Sequence, residues 1–187
     1  MRRIETELPG VWLLEPQVHS DPRGFLIETY HARRFAELGI PNEFVQDNHS
    51  RSVRGVLRGL HYQIDPPQAK LCRVVRGAVL DVVVDIRRGS PTFGRWTSTL
   101  LSEENHRLLF VPAGFAHGFY VLSEVADFLY KLDAFYHPPG ERGIAWDDPD
   151  LGIDWQLAGT PLLSERDRRQ PRLRDVPPHD LPSYTPR

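Results

Sequence analysis

The clearest hydrophobic pattern lies in AVLDVVVDIR (78–87). Taken at alternate positions, Ala78, Leu80, Val82, Val84 and Ile86 share one face of a strand. Val79, Asp81, Val83, Asp85 and Arg87 share the other. One face is wholly apolar, and the other sets charges among valines. A barrel with a packed outer layer and a partly polar interior produces that combination. Similar short runs recur along the chain: FLIETY (25–30), EFVQDN (43–48), GVLRGLHYQ (55–63), KLCRVVRG (70–77), RWTSTLL (95–101), HRLLFVP (106–112), HGFYVLS (117–123) and ADFLYKL (126–132). Between them stand DPRG, DPP, RG, RRGSP, PAG and HPPGERG, all turn formers. Helical spacing appears in HARRFAELGI (31–40), which a glycine closes, and SEENHR (102–107) makes at most a turn or two. Short strands punctuated at this rate predict a mainly β, antiparallel sandwich or barrel.

Length and composition narrow the setting. The 187 residues suit one domain with a sizeable core, expected over 1–170. Residues 171–187 hold five of the 17 prolines and read as an extended or loose C-terminal tail. A net charge of −2 gives no electrostatic reason to expect nucleic acid or membrane partners. No apolar run approaches the ~20 residues that span a bilayer, and MRRIETELPGVW lacks the apolar core of a secretory signal. With Cys72 the sole cysteine, no internal disulfide can form, and a cytoplasmic protein is expected.

The stretch RGLHYQ (58–63) puts an ionisable ring in a strand. By parity His61 falls with Gly59 and Gln63, and a bulge at Gly59 would turn Arg58 to the same side. Gln46, Asn48, Arg58, His61, Gln63 and Lys70 lie on neighbouring expected strands. Gathering them in a fold carries a desolvation cost that proteins tolerate mainly where something polar binds. His61 has three readings: metal ligand, satisfied core histidine or proton shuttle. A cupin-type metal site wants His-x-His, an acid soon after, and a later histidine. His117 supplies the last, but Gln63 replaces the second histidine and no acid stands where the pattern wants one, at about Gln68. Two imidazoles at most would remain, so no metal is expected, and the surrounding polar set favours the proton shuttle over the core histidine.

Several ordered motifs then carry a resemblance: DPRGFLIE (21–28), FVQDNHS (44–50), VLRGLHYQ (56–63), QAKL (68–71), SPTFG (90–94), VPAGFAHGF (111–119), EVADFLYK (124–131) and ERGIAWDDPDLGIDW (141–155). From about residue 3 to 170 the chain resembles the dTDP-4-dehydrorhamnose 3,5-epimerase family, whose members need no metal or organic cofactor. The resemblance implies an antiparallel double-stranded β-helix of the jelly-roll (cupin) type with a few short helices. It also implies a dTDP-4-keto-6-deoxy sugar as substrate, inverted at the two carbons flanking the ketone. Such chemistry needs a base on one face of the sugar, a donor at the enolate oxygen and an acid on the opposite face.

By resemblance His61 is the base, with Asp167 in LLSERD (162–167) fixing its tautomer. Tyr130 is the acid, kept protonated by the apolar neighbours Phe128 and Leu132. Lys70 meets the enolate oxygen. It is one of two lysines among 23 basic residues, and the other, Lys131, faces away by parity. Asp81 and Asp85 could hold the charge of Lys70 or of an arginine. Substrate contacts carry over to Arg23, Glu28, Gln46, Asn48, Arg58, His117, Glu141 and Arg166. Arg23 and Arg58 suit the diphosphate, Glu28 and Gln46 the thymine edge, His117 phosphate or sugar, and Phe25 and Tyr136 are candidate stacking surfaces. In the family the N-terminal strands cross to a neighbouring subunit, which implies a homodimer.

Arg166 stands where the family often has lysine, and FYV (119–121) where FLV is commoner; neither touches the proton machinery. Related branches invert one carbon only, move the ketone or eliminate water. A single-centre epimerase or ketoisomerase, a non-catalytic sugar-nucleotide-binding module and a metal-dependent cupin remain the alternatives.

Overall fold

The computed structural model describes residues 1–186. In chain order the strands are β1 (Arg2–Glu5), β2 (Trp12–Glu15), β3 (Val18–Asp21) and β4 (Gly24–Ile27), then helix α1 (Ala32–Glu37) and β5 (Gln46–Val53). β6 (Leu57–Gln63), β7 (Lys70–Arg76), β8 (Ala78–Asp85), β9 (Trp96–Ser102) and β10 (Leu108–Val111) follow. β11 (Phe115–Val121), β12 (Val125–Leu132) and β13 (Glu141–Gly143) complete the set. One sheet runs β1-β2-β10-β7-β12-β5, and a second runs β13-β6-β11-β8-β9. All the ladders in both sheets are antiparallel. The two sheets pack face to face as a jelly roll. The hairpin β3–β4 forms a small sheet of its own.

The alternation along β8 sorts the core as the sequence predicts. Val79 and Val83 join Phe115, Phe119, Val121, Cys72, Val74 and Phe128 between the sheets. Leu80, Val82, Val84 and Ile86 face outward, yet they are buried. Chain from beyond the strands covers them: Ile144, Leu151, Trp155, Leu173, Val176 and Leu181. On the other sheet α1 buries Phe35 against Leu14, Leu71, Leu108 and Phe110.

The C-terminal segment, expected as extended or loose, is not loose. It is extended, with two 3-10 turns at Leu173–Asp175 and Pro178–Asp180, but packed. Tyr62 Oη donates to the Asp180 carbonyl at 2.8 Å, and burial with the Asp180 charge pushes the phenol up to about 12. Arg142 Nε meets the Asp180 carboxylate at 2.8 Å. Arg88 and residues 182–184 exchange two backbone hydrogen bonds. Proline forbids ladder pairing there but does not forbid burial, and Leu173, Val176 and Leu181 bring enough apolar surface to dock. Arg187, the last residue of that expected tail, lies outside the described residues.

The strands missed from sequence are the short ones: β1, β2, β3 and β13 span only three or four residues each. SEENHR, expected as at most a turn or two, forms a turn at 103–105. Gly59 makes the predicted bulge. Against β11, His61 opposes His117 while Arg58 opposes Phe119, so β6 carries one extra residue. Arg58 and His61, three apart, both point inward as a result, whereas Leu57, Leu60 and Tyr62 join the outer core. Only glycine fits the bulge. Its φ is +118°, and a Cβ there would stand 2.6 Å from Gly118 Cα.

Candidate active site

Between the sheets opens a cavity of about 670 Å³. From the five-stranded sheet it receives Arg58, His61 and His117, and from the six-stranded sheet Gln46, Asn48, Ser50, Lys70, Phe128, Tyr130 and Leu132. Tyr136, Glu141, Arg166 and Asp167 close one side. His61 and Tyr130 therefore stand on facing walls of one chamber.

A single turn of 3-10 helix, Asp167–Arg169, brings Asp167 to β6. Its Oδ1 lies 2.5 Å from His61 Nε2, and only 4% of Asp167 is exposed. Burial pushes this carboxyl up. Hydrogen bonds and charge from His61, with further bonds from Ser164 and the Gly59 N–H, outweigh burial and hold it below the ordinary carboxylate value. The Gly59 bond is a second consequence of the bulge, which frees a backbone donor from the ladder. An ionised Asp167 can only accept, so Nε2 carries the proton of the neutral ring and Nδ1 carries the lone pair.

Tyr130 projects from β12 between Phe128 and Leu132. Burial raises its phenol above the ordinary tyrosine value, and a hydrogen bond with Asn48 pulls the other way. Asn48 sits directly opposite it on β5. Lys70 Nζ spans the gap between the sheets to the His61 carbonyl at 3.2 Å, and desolvation lowers its pKa despite the charges of Cys72, Glu141 and Asp81. The chamber thus holds an imidazole paired with a carboxylate, a buried phenol on the facing sheet, and a lysine amine that reaches from one sheet to the other.

At the mouth the polar side chains interlock. Tyr136 Oη donates to Glu141 Oε2 at 2.6 Å, and Arg166 pairs with the same carboxylate. The Tyr136 N–H donates to Gln46 Oε1 at 2.9 Å. Burial raises the Glu141 carboxyl, and Tyr136 and Arg166 more than reverse it.

The family profile described as dTDP-4-dehydrorhamnose 3,5-epimerase matches residues 5–175. The chain belongs to the dTDP-4-dehydrorhamnose 3,5-epimerase family. A dTDP-4-dehydrorhamnose 3,5-epimerase from Pseudomonas aeruginosa is 57% identical over 177 residues, 94% of this chain and 98% of that one. The crystal structure of a dTDP-6-deoxy-D-glucose-3,5-epimerase from Legionella pneumophila, in complex with dTDP-4-keto-L-rhamnose, matches with a TM-score of 0.97. Its identity is 49%, and the match covers 99% of each chain. A dTDP-4-dehydrorhamnose 3-epimerase from Streptomyces niveus is 46% identical over 170 residues, 90% of this chain and 82% of that one.

Of the residues carried over by the family resemblance, Gln46, Asn48, Arg58, His61, Lys70, His117, Tyr130, Tyr136, Glu141, Arg166 and Asp167 meet in the cavity. Arg23, Phe25 and Glu28 do not line it. They sit on or beside the β3–β4 hairpin, which carries no core side chain and stands off the sheets. Arg23 pairs with Asp21 at 2.5 Å, Glu28 with Arg34 at 2.7 Å, and Phe25 stacks on His106 while 64% exposed. His117 lines the cavity floor, but its Nε2 is turned down to Asp81 at 2.9 Å, which leaves that nitrogen occupied. Asp85 does hold an arginine, Arg87, at 2.7 Å. Asp81 holds His117 rather than an arginine. Gln63 donates to the Pro66 carbonyl in the loop after β6 and holds the loop after β12 through Phe135 and His137.

Sequence reasoning missed Ser50, Ser52 and Ser164. Ser52 Oγ accepts from Arg58 Nε at 3.1 Å, Ser50 lines the cavity, and Ser164 orients Asp167. The first two were legible: Gln46, Asn48, Ser50 and Ser52 are alternate residues of β5 and share its inner face.

Proposed function

We infer that the protein is an isomerase that inverts C3 and C5 of a dTDP-4-keto-6-deoxyhexose to give the dTDP-4-keto-L-rhamnose configuration. The observation that carries this reading is the opposition of His61 and Tyr130 across one cavity, with Lys70 between. A C–H beside a ketone becomes acidic only when the carbanion spreads onto the oxygen. His61 Nδ1 takes the proton, the electron pair moves into the ring C–C bond, and the C4 oxygen becomes an enolate. The Lys70 ammonium donates to that oxygen as charge develops. Tyr130 then delivers its phenolic proton to the face opposite His61, so the carbon returns inverted. Proton exchange with water restores both groups before the second carbon reacts.

Asp167 makes the cycle repeatable by holding Nε2–H and stabilising the imidazolium after each abstraction. Arg58 suits the diphosphate, with Ser52 fixing its guanidinium, and Tyr136 with Gln46 suits the base. The proton chemistry assigned here draws only on side chains and calls for no metal or organic cofactor.

We also propose a homodimer in which the β3–β4 hairpin of one protomer covers the cavity of its partner and brings Arg23, Phe25 and Glu28 to it. Two observations support it. Phe25 and Leu26 are exposed at 64% and 72%, and the cavity's second arginine, Arg166, is engaged by Glu141, which leaves Arg58 to meet a diphosphate. The cytoplasm is the setting that fits a nucleotide-sugar substrate and a lone buried thiol. No helix among the described residues is long and apolar enough to cross a membrane.

The test is the stereochemistry of the product. Incubated with dTDP-4-keto-6-deoxyglucose, the protein is expected to yield a sugar whose NMR couplings show inversion at C3 and C5. Inversion at C3 alone would move it to the branch of the Streptomyces niveus relative, and unchanged substrate would leave a binding module.

A further inference from the structure

Below the cavity floor, three side chains from three strands converge. Cys72 comes from β7, Asp81 from β8 and His117 from β11. Their Sγ, carboxylate oxygen and Nε2 lie within 4.8 Å of one another. Nε2 is 2.9 and 3.0 Å from the two Asp81 oxygens and 3.9 Å from Cys72 Sγ. Cys72 and Asp81 are fully buried and His117 is 6% exposed. The proton transfers inferred above use none of them.

We propose that Cys72, Asp81 and His117 form a binding site for one thiophilic divalent cation of the Zn²⁺ class, and that its occupation switches the enzyme off. The inhibitory half rests on the function inferred above; the binding half does not.

The donor set is thiolate, imidazole and carboxylate, the ligand types that zinc takes with one position left open. Bonds of about 2.3 Å to sulfur and about 2.0–2.1 Å to nitrogen or oxygen set tetrahedral ligands roughly 3.3–3.6 Å apart. The observed 2.9, 3.0 and 3.9 Å bracket that range, so small side-chain rotations would admit an ion. The cluster is also pre-organised. Asp81 and His117 sit on neighbouring ladder strands of the five-stranded sheet and Cys72 on the facing sheet, so the ion would tie the two walls together. Charge balances as well: the ion displaces the thiol proton to solvent, and a thiolate with a carboxylate neutralises a dication. A neutral complex can stay buried where a lone charge could not. The way in is the cavity itself, since His117 lines its floor.

Occupation would reach the chemistry through Lys70. It lies two residues before Cys72 on the same face of β7, and its Nζ reaches the His61 carbonyl at 3.2 Å. An ion that enters as the thiol proton leaves adds one positive charge beside Lys70, and the repulsion draws the ammonium off the enolate oxygen.

The experiment titrates the chelator-treated full chain with Co²⁺ and follows the thiolate-to-cobalt charge-transfer absorption, with Zn²⁺ as competitor and epimerase turnover read in parallel. One ion per chain, a charge-transfer band and loss of turnover at matching concentrations are expected. Cys72→Val, a change of similar volume among apolar neighbours, should lose the band, bind more weakly by at least the about 10–100-fold that loss of an outer-shell partner costs, and resist Zn²⁺ by a similar factor. Absence of the band in the wild-type chain would overturn the site, and a Cys72→Val variant that Zn²⁺ still inhibits at wild-type concentrations would overturn the switch. The latter result would assign inhibition to the His61–Asp167 pair. Should Cys72→Val fail to fold, the wild-type band decides alone. A wild-type chain that shows the band but never epimerises supports the site and counts against the function.

Discussion

His61 Nε2 and Asp167 Oδ1 stand 2.5 Å apart although 106 positions separate them in the chain. The contact exists because a bulge at Gly59 turns His61 inward and because a short 3-10 turn brings Asp167 over β6. With Asp167 ionised, it makes Nε2 the protonated nitrogen of the neutral ring and leaves Nδ1 as the lone pair that the proposed proton abstraction uses.

Asp167→Asn keeps the shape of that contact and removes its charge. Turnover should fall by about 10²–10⁴-fold, with KM little changed, in steady-state assays. A second readout follows from linkage. The folded carboxyl sits below its unfolded value, so its contribution to stability is present at neutral pH and lost as pH falls through the folded pKa. The variant should therefore show a shallower loss of stability than the wild type on acid titration, followed by circular dichroism.

Tyr130→Phe removes the proton donor and leaves the base. Exchange of the substrate C–H with solvent should persist, while inverted product forms about 10²–10⁴-fold more slowly. Wild-type rates of inversion in this variant would mean that another group returns the proton.

The alkaline limb of the pH–rate profile should belong to Lys70. Desolvation lowers its pKa whereas burial raises that of Tyr130. As pH rises, the ammonium is lost below the usual lysine value and enolate stabilisation goes with it. Lys70→Arg, charged throughout, should retain low activity with the limb displaced to higher pH. An unmoved limb would reassign it to the phenol.

A shared site predicts complementation. Arg23→Ala should raise KM even though Arg23 does not line the cavity of its own chain, and His61→Asn should be inactive. Refolded together, the two variants form heterodimers with one intact site, and part of the activity should return. No recovery in a mixture shown to contain heterodimers would exclude the crossing hairpin.

Much of this was legible in the sequence because the signals were local. The parity of AVLDVVVDIR separated the inner core from the outer one, and Gly59 announced the bulge that turns His61 and Arg58 together. What depended on distant partners was not. Nothing near Asp81 names His117 as its partner, and Cys72 reads as one more apolar strand residue. The prolines after residue 170 hid a docked segment, because they report ladder pairing and are silent on burial of Leu173, Val176 and Leu181. His61, Tyr130 and Lys70 each sit in a local motif, but their convergence is a property of the two sheets.

The most direct test of the account follows the protons. In deuterium oxide with dTDP-4-keto-6-deoxyglucose, the wild-type protein should place label at both C3 and C5, located by NMR, and His61→Asn should place none. Label at both carbons with the histidine removed would contradict the assignment of His61 as the base that begins each inversion.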